Sequence, residues 1–99
     1  MVIYFKGVVK KIELLDKNDK KIILIGADPK WTLTVRIDSA AGETLPFKVG
    51  ETAAFGIHSP TKLFAESDKN AMIGKSYTFE LSCEHSLEKG WAFIYLKVK

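Results

Sequence analysis

Arginine and cysteine each occur once, proline three times, and no long apolar run is present in this chain of 99 residues. Each scarcity excludes something. The lone Cys83 rules out an intramolecular disulfide and fits a reducing compartment. No stretch approaches the roughly 18 apolar residues of a membrane-spanning helix. The opening MVIYFKGVVKK interleaves lysine with apolar residues too early for the core of a signal peptide. The expectation is a soluble cytoplasmic protein without a membrane partner, with a previously removed leader left open. The seven glycines are scattered at turns, and Gly74-Lys75-Ser76 lacks the upstream glycine of a phosphate-binding loop. Without paired carboxylates, a nucleophile–base pair or another catalytic motif, no enzyme and no cofactor are expected.

What is present is a globular composition, 46% hydrophobic and 27% charged, in a length that suits one core. A single domain over residues 1–99 follows. The net charge of +3 is unevenly spread, with Lys6, Lys10, Lys11, Lys17, Lys20, Lys21 and Lys30 in the first third. Such a field attracts phosphates in a salt-dependent way. Against this, Glu13, Asp16, Asp19 and Asp28 lie among those lysines, and Arg36 alone offers the bidentate fork suited to phosphate and base contacts. A solvated lysine-rich surface is the plain alternative.

Alternation dominates the chain, so the reading is mostly β. Val2–Leu15 is a long strand interrupted at Gly7, where a strand bends to close a small barrel. The polar run Asp16–Lys20 is a turn, and Ile22–Ile25 is a buried strand expected to pair with the first as a hairpin. Pro29 breaks the pattern. Trp31, Leu33, Val35 and Ile37 then alternate with Thr32, Thr34, Arg36 and Asp38, and Ser39–Glu43 reads as a loop. A further strand ends at His58. Ser59 is placed as N-cap and Pro60 as first residue of a short helix that stops at Ser67–Asn70, with Leu63 and Phe64 facing inward. Tyr77, Phe79, Leu81 and Cys83 alternate in the next strand, His85–Gly90 is a loop, and WAFIYLKVK closes the chain. No internal repeat occurs.

A curved first strand with an early glycine, a meander, a strand running into a short capped helix and two closing strands resemble the OB-fold across nearly the whole chain. The resemblance implies an all-β fold with one short helix: a small, closed or partly open barrel of five or six strands, since Ile22–Asp38 is either one bent strand or two. OB-folds bind oligonucleotides, oligosaccharides or proteins across one barrel face.

Strict alternation puts Trp91, Phe93, Tyr95 and Lys97 on one face of the last strand and Ala92, Ile94, Leu96 and Val98 on the other. With the aliphatics inward, Ile94 and Leu96 are buried, and an outward aromatic ladder remains for stacking bases or sugars. The alternative is an aromatic face covered by the helix or a partner, or a strand buried on both sides. Lys6, Lys10, Lys21 and Trp31 complete the candidate ligand-binding surface. His58 beside Ser59 has no orienting acid or oxyanion hole and reads as a structural corner. Cys83, Glu84 and His85 are consecutive on a strand and point alternately, so no metal site is expected. The functional expectation is a non-enzymatic binding module for single-stranded nucleic acid or another polyanion. The alternative is a protein interaction or assembly domain, monomeric or weakly self-associating.

Overall fold

The computed structural model describes residues 1–42 and 44–99; Glu43, the end of the expected loop Ser39–Glu43, lies outside the described residues. The six strands are β1 (Val2–Leu14), β2 (Ile23–Leu24), β3 (Trp31–Ala41), β4 (Thr52–Ile57), β5 (Ser76–Ser86) and β6 (Gly90–Val98). A short helix α1 (Pro60–Phe64) and a 3-10 turn (Lys69–Met72) link β4 to β5. The strands form one sheet in the order β2-β4-β3-β1-β5-β6, curled into a nearly closed barrel. Its arrangement is consistent with an OB-like topology. Among the described residues, no helix is long and apolar enough to cross a membrane.

β1 organises the sheet, because it pairs with β3 along one edge and β5 along the other. Its alternation buries Ile3, Phe5 and Val9 while Tyr4 and Lys6 face out. The bend falls at Gly7. A Cβ there would press on Val35 Cγ1 and lie 2.5 Å from the Arg36 carbonyl oxygen, so the backbones of β1 and β3 approach in a way only glycine permits. Register shifts flank this point, between Lys6 and Gly7 and between Val9 and Lys11. Extra residues of this kind increase local twist and coil the sheet on itself.

The enclosed space is filled by aromatic rings. Phe5 stacks between Phe79 of β5 at 4.9 Å and Phe55 of β4 at 5.6 Å, and Phe47 meets Phe5 edge-on at 4.9 Å. Leu33, Val35 and Ile37 from β3 and Leu81 and Cys83 from β5 complete the core. Phe64 of α1 packs on Tyr77 at 4.8 Å, so the helix covers one end of the barrel.

Three expectations are corrected. Ile22–Ile25 does not pair with β1: its strand is only Ile23–Leu24 and runs parallel to β4, so β1 finds its antiparallel partner in β3. Ile22–Asp38 therefore contains two strands, and the barrel has six. β3 extends through Ser39–Ala41, which pairs with Lys6–Tyr4, and β5 continues through His85 and Ser86 because β6 supplies their ladder.

Replacing Gly7 with alanine tests the close approach. Overpacking of this kind costs about 1–3 kcal/mol, read as a lower urea midpoint with an unchanged slope.

Candidate functional site

The geometry of the candidate surface is set by one extra residue in β6. Ser82 pairs with Tyr95 and Cys83 with Phe93, leaving Ile94 without an opposite number. A single inserted residue reverses the phase of every side chain beyond it. Trp91 and Phe93 therefore share the inner side with Leu96 and Val98, whereas Tyr95 and Lys97 turn outward. The four-membered ladder Trp91-Phe93-Tyr95-Lys97 is corrected to two pairs on different faces. Ile94, expected in the core, is 51% exposed, while Leu96 is 9% exposed.

The outward pair joins residues from two neighbouring strands. Cross-strand rows run Tyr4–Glu80–Lys97 and Val2–Ser82–Tyr95, with Lys6 opposite Thr78. Tyr95 donates its hydroxyl hydrogen to Glu80 Oε2 at 2.9 Å. Lys97 Nζ lies 4.7 Å from the Tyr95 ring centre, and Lys99 Nζ lies 4.5 Å from that of Tyr4. The result is two tyrosine rings, each carrying an ammonium group, with Lys6 alongside and Glu80 tied to a phenol. Rings supply sequence-tolerant stacking surfaces, and lysines supply mobile positive charge.

Trp91 and Phe93 form a separate group. His85 contacts Trp91 at 4.5 Å, and Trp91 stacks on Phe93 at 5.9 Å with planes 13° apart. A cleft of about 560 Å³ beside them is also lined by Lys20, Lys21 and Pro46, so Lys21 shares a cleft with Trp91 and Phe93 and not with Tyr95. Trp31 lies elsewhere again. It pairs with Leu14 and Ile57 at the far end of β3, and Lys69 Nζ stands 5.7 Å from its ring. Lys10 is exposed at a register shift of β1. Of the eight expected residues, the structure joins Tyr95, Lys97 and Lys6 on one face and Trp91, Phe93 and Lys21 at another. Tyr4 was missed. Tyr4 had a legible signal, an aromatic residue in phase with Lys6 on the polar side of β1.

His58 and Ser59 occupy a corner. The Ser59 hydroxyl accepts the Lys62 backbone N–H at 3.3 Å, and Pro60 follows as the first helical residue. The exposed His58 ring has Nδ1 at 3.3 Å from the Asp28 carbonyl oxygen, a hydrogen bond in the tautomer protonated there. Cys83 is buried, and burial pushes its thiol above the ordinary range. Among the described residues, no three His, Cys, Asp or Glu side chains converge on a metal position.

No family model matches the chain, and neither does a curated protein or a solved structure.

Two expected outcomes follow from the phase of β6. Leu96→Ala costs about 2–5 kcal/mol, as a core truncation does, and Tyr95→Ala costs clearly less in the same urea titration. The Glu80 hydrogen bond, aided by desolvation and the Glu80 charge, raises the Tyr95 phenol above its usual value. The neutral phenol is thus favoured by folding, so its contribution is complete below pH about 10 and is lost as pH rises through the raised value. Glu80→Gln should shift the ultraviolet titration of Tyr95 downward; an unchanged midpoint contradicts the assignment.

Proposed function

We propose that the protein is a non-enzymatic binding module of OB-like type that takes single-stranded nucleic acid on the outer face of β1, β5 and β6. The observation that carries this reading is the pairing of Tyr4 with Lys99 and Tyr95 with Lys97, with Lys6 on the same face. Unpaired bases expose π-faces that tyrosine stacks without a hydrogen-bond code, and phosphates between them meet the lysines. An ammonium resting on a ring is already held near the stacking position, so little side-chain ordering is required when a phosphate replaces water beside it. Glu80 is the one acid in these rows, and its hydrogen bond from Tyr95 fixes the ring's angle.

Three phosphate contacts, one each for Lys6, Lys97 and Lys99, imply a logarithmic salt slope near −2, or roughly a twentyfold loss of affinity between 50 and 200 mM salt. The measurement is fluorescence anisotropy of a labelled oligothymidine. Tyr4→Ala and Tyr95→Ala should each cost about 1–3 kcal/mol of binding and leave heparin binding, which needs charge alone, nearly unchanged. No anisotropy change at low salt with tens of micromolar protein would end this reading. Equal losses for oligothymidine and heparin would reduce it to charge alone.

A further inference from the structure

The barrel's shortest strand, β2, is two residues long, and the slot it occupies is longer than that. β2 lies between β4 and β6: Ile23 and Leu24 pair with Phe55 and Gly56, and the Gly26 N–H donates to the Phe93 carbonyl at 3.0 Å. There the chain leaves. Gly26 and Asp28 adopt left-handed φ values of 64° and 59°, and Lys30 ties off against Ile57. Beyond that point β6 runs on through Ile94–Val98 with β5 along one edge and, among the described residues, no strand along the other, where α1 lies nearby.

The backbone of β6 is open along this seam. The Lys99 N–H donates to Thr78, so strand alternation turns the peptide groups of Lys97 and Tyr95 toward β5 and those of Leu96 and Val98 toward the seam. Among the described residues they meet no backbone partner there. A groove of about 480 Å³ opens at this place, floored by Ile25, Ile57 and Leu63. Lys62, Lys97 and His58 supply its basic lining, Tyr95 adds a phenol, and among the described residues no carboxylate lines it.

We propose that this seam binds an extended acidic segment of a partner protein, which pairs with Leu96 and Val98 as an added strand and continues the line of β2. Main-chain bonds hold such a segment, and side-chain pockets and charges choose it. The free stretch from Ile94 to Val98 accommodates about five residues at the usual strand rise of ~3.3 Å. Charge selects the occupant. A second copy offering its own β6 would bring Lys97, and Lys99 just beyond it, with no acid in that strand, against Lys62 and Lys97. An acidic segment meets the complementary field.

The probe is an acetylated peptide of about eight alternating valine and glutamate residues, compared with its valine–lysine counterpart by amide hydrogen exchange and NMR. In the free protein, the Leu96 and Val98 amides should exchange at least roughly tenfold faster than the Lys97 amide. The acidic peptide should protect and shift them, and bind roughly tenfold tighter than the basic one. Val98→Pro, which removes an edge donor, should abolish that response with the circular dichroism spectrum retained. Lys62→Glu, on the exposed side of α1, should weaken the acidic peptide about fivefold and strengthen the basic one. Unaltered seam amides at about 1 mM peptide overturn the proposal, as do shifts confined to Tyr4 and Lys6 or equal responses to both peptides. A dimer in sedimentation that Val98→Pro dissociates also overturns it, by making a second copy the occupant. The readout is the seam amides, so this proposal and the nucleic-acid reading fail independently.

Discussion

The fold depends on how closely β1 passes β3 at Gly7. A strand that hydrogen-bonds on both edges must bend if its two neighbours are to face each other across a core, and at Gly7 the backbone lies against Val35 and the Arg36 carbonyl. Any side chain would hold the strands apart. Two residues before this point Phe5 projects inward and stacks with Phe55 on one side and Phe79 on the other. The bend brings β4 and β5 within reach of one ring, and the ring rewards the bend. Aromatic pairs at such separations contribute about 0.5–1.5 kcal/mol each beyond their buried area, so the core stabilises the curvature that creates it.

Ile94 governs the surface as Gly7 governs the core. Without the extra residue in β6, every other side chain of WAFIYLKVK would keep one phase, and either the rings or the aliphatics would all face water. The bulge lets one strand do both. Trp91, Phe93, Leu96 and Val98 serve the inner side, and Tyr95 and Lys97 are released to join Tyr4 and Lys6 outside. The cost is a large aliphatic residue left half in solvent at the seam.

Most strands were legible because alternation is local: Val2–Leu14, Trp31 onward, the run into Ile57 and the final pair all show it in sequence. The corner at Ser59-Pro60 was equally plain, since capping chemistry is written within four residues. Pairing was less so. Ile22–Ile25 is adjacent to β1 in sequence and looks like half of a hairpin, yet its partner is β4, some thirty positions on. Nothing in an apolar run specifies whether its neighbour is parallel or distant. The bulge at Ile94 was hidden for the same reason: it exists only relative to Ser82 and Cys83 on the facing strand. The candidate site was misassembled in consequence, because its residues were assigned to one face by counting in twos along a strand that skips a beat.

The open seam has its origin in chain connectivity. After β2 the chain must reach the start of β3, and it is pinned on arrival: the Lys30 N–H donates to Ile57, and the Leu15 N–H donates to the Lys30 carbonyl. Lys30 is thus held between the ends of β4 and β1, on the side of the slot away from β6. To arrive there in four residues from Gly26, the chain has to turn out of the slot at once, which the left-handed backbones of Gly26 and Asp28 accomplish. His58 contacts this departing segment at the Asp28 carbonyl. The histidine that stands out in the sequence therefore braces the turn that leaves Leu96 and Val98 without a strand on the edge away from β5. A longer β2 would close the barrel but carry the chain past Lys30, breaking the two hydrogen bonds that seat β3 beside β1 and β4. Incomplete closure is what this connection requires, and the free edge of β6 follows from it.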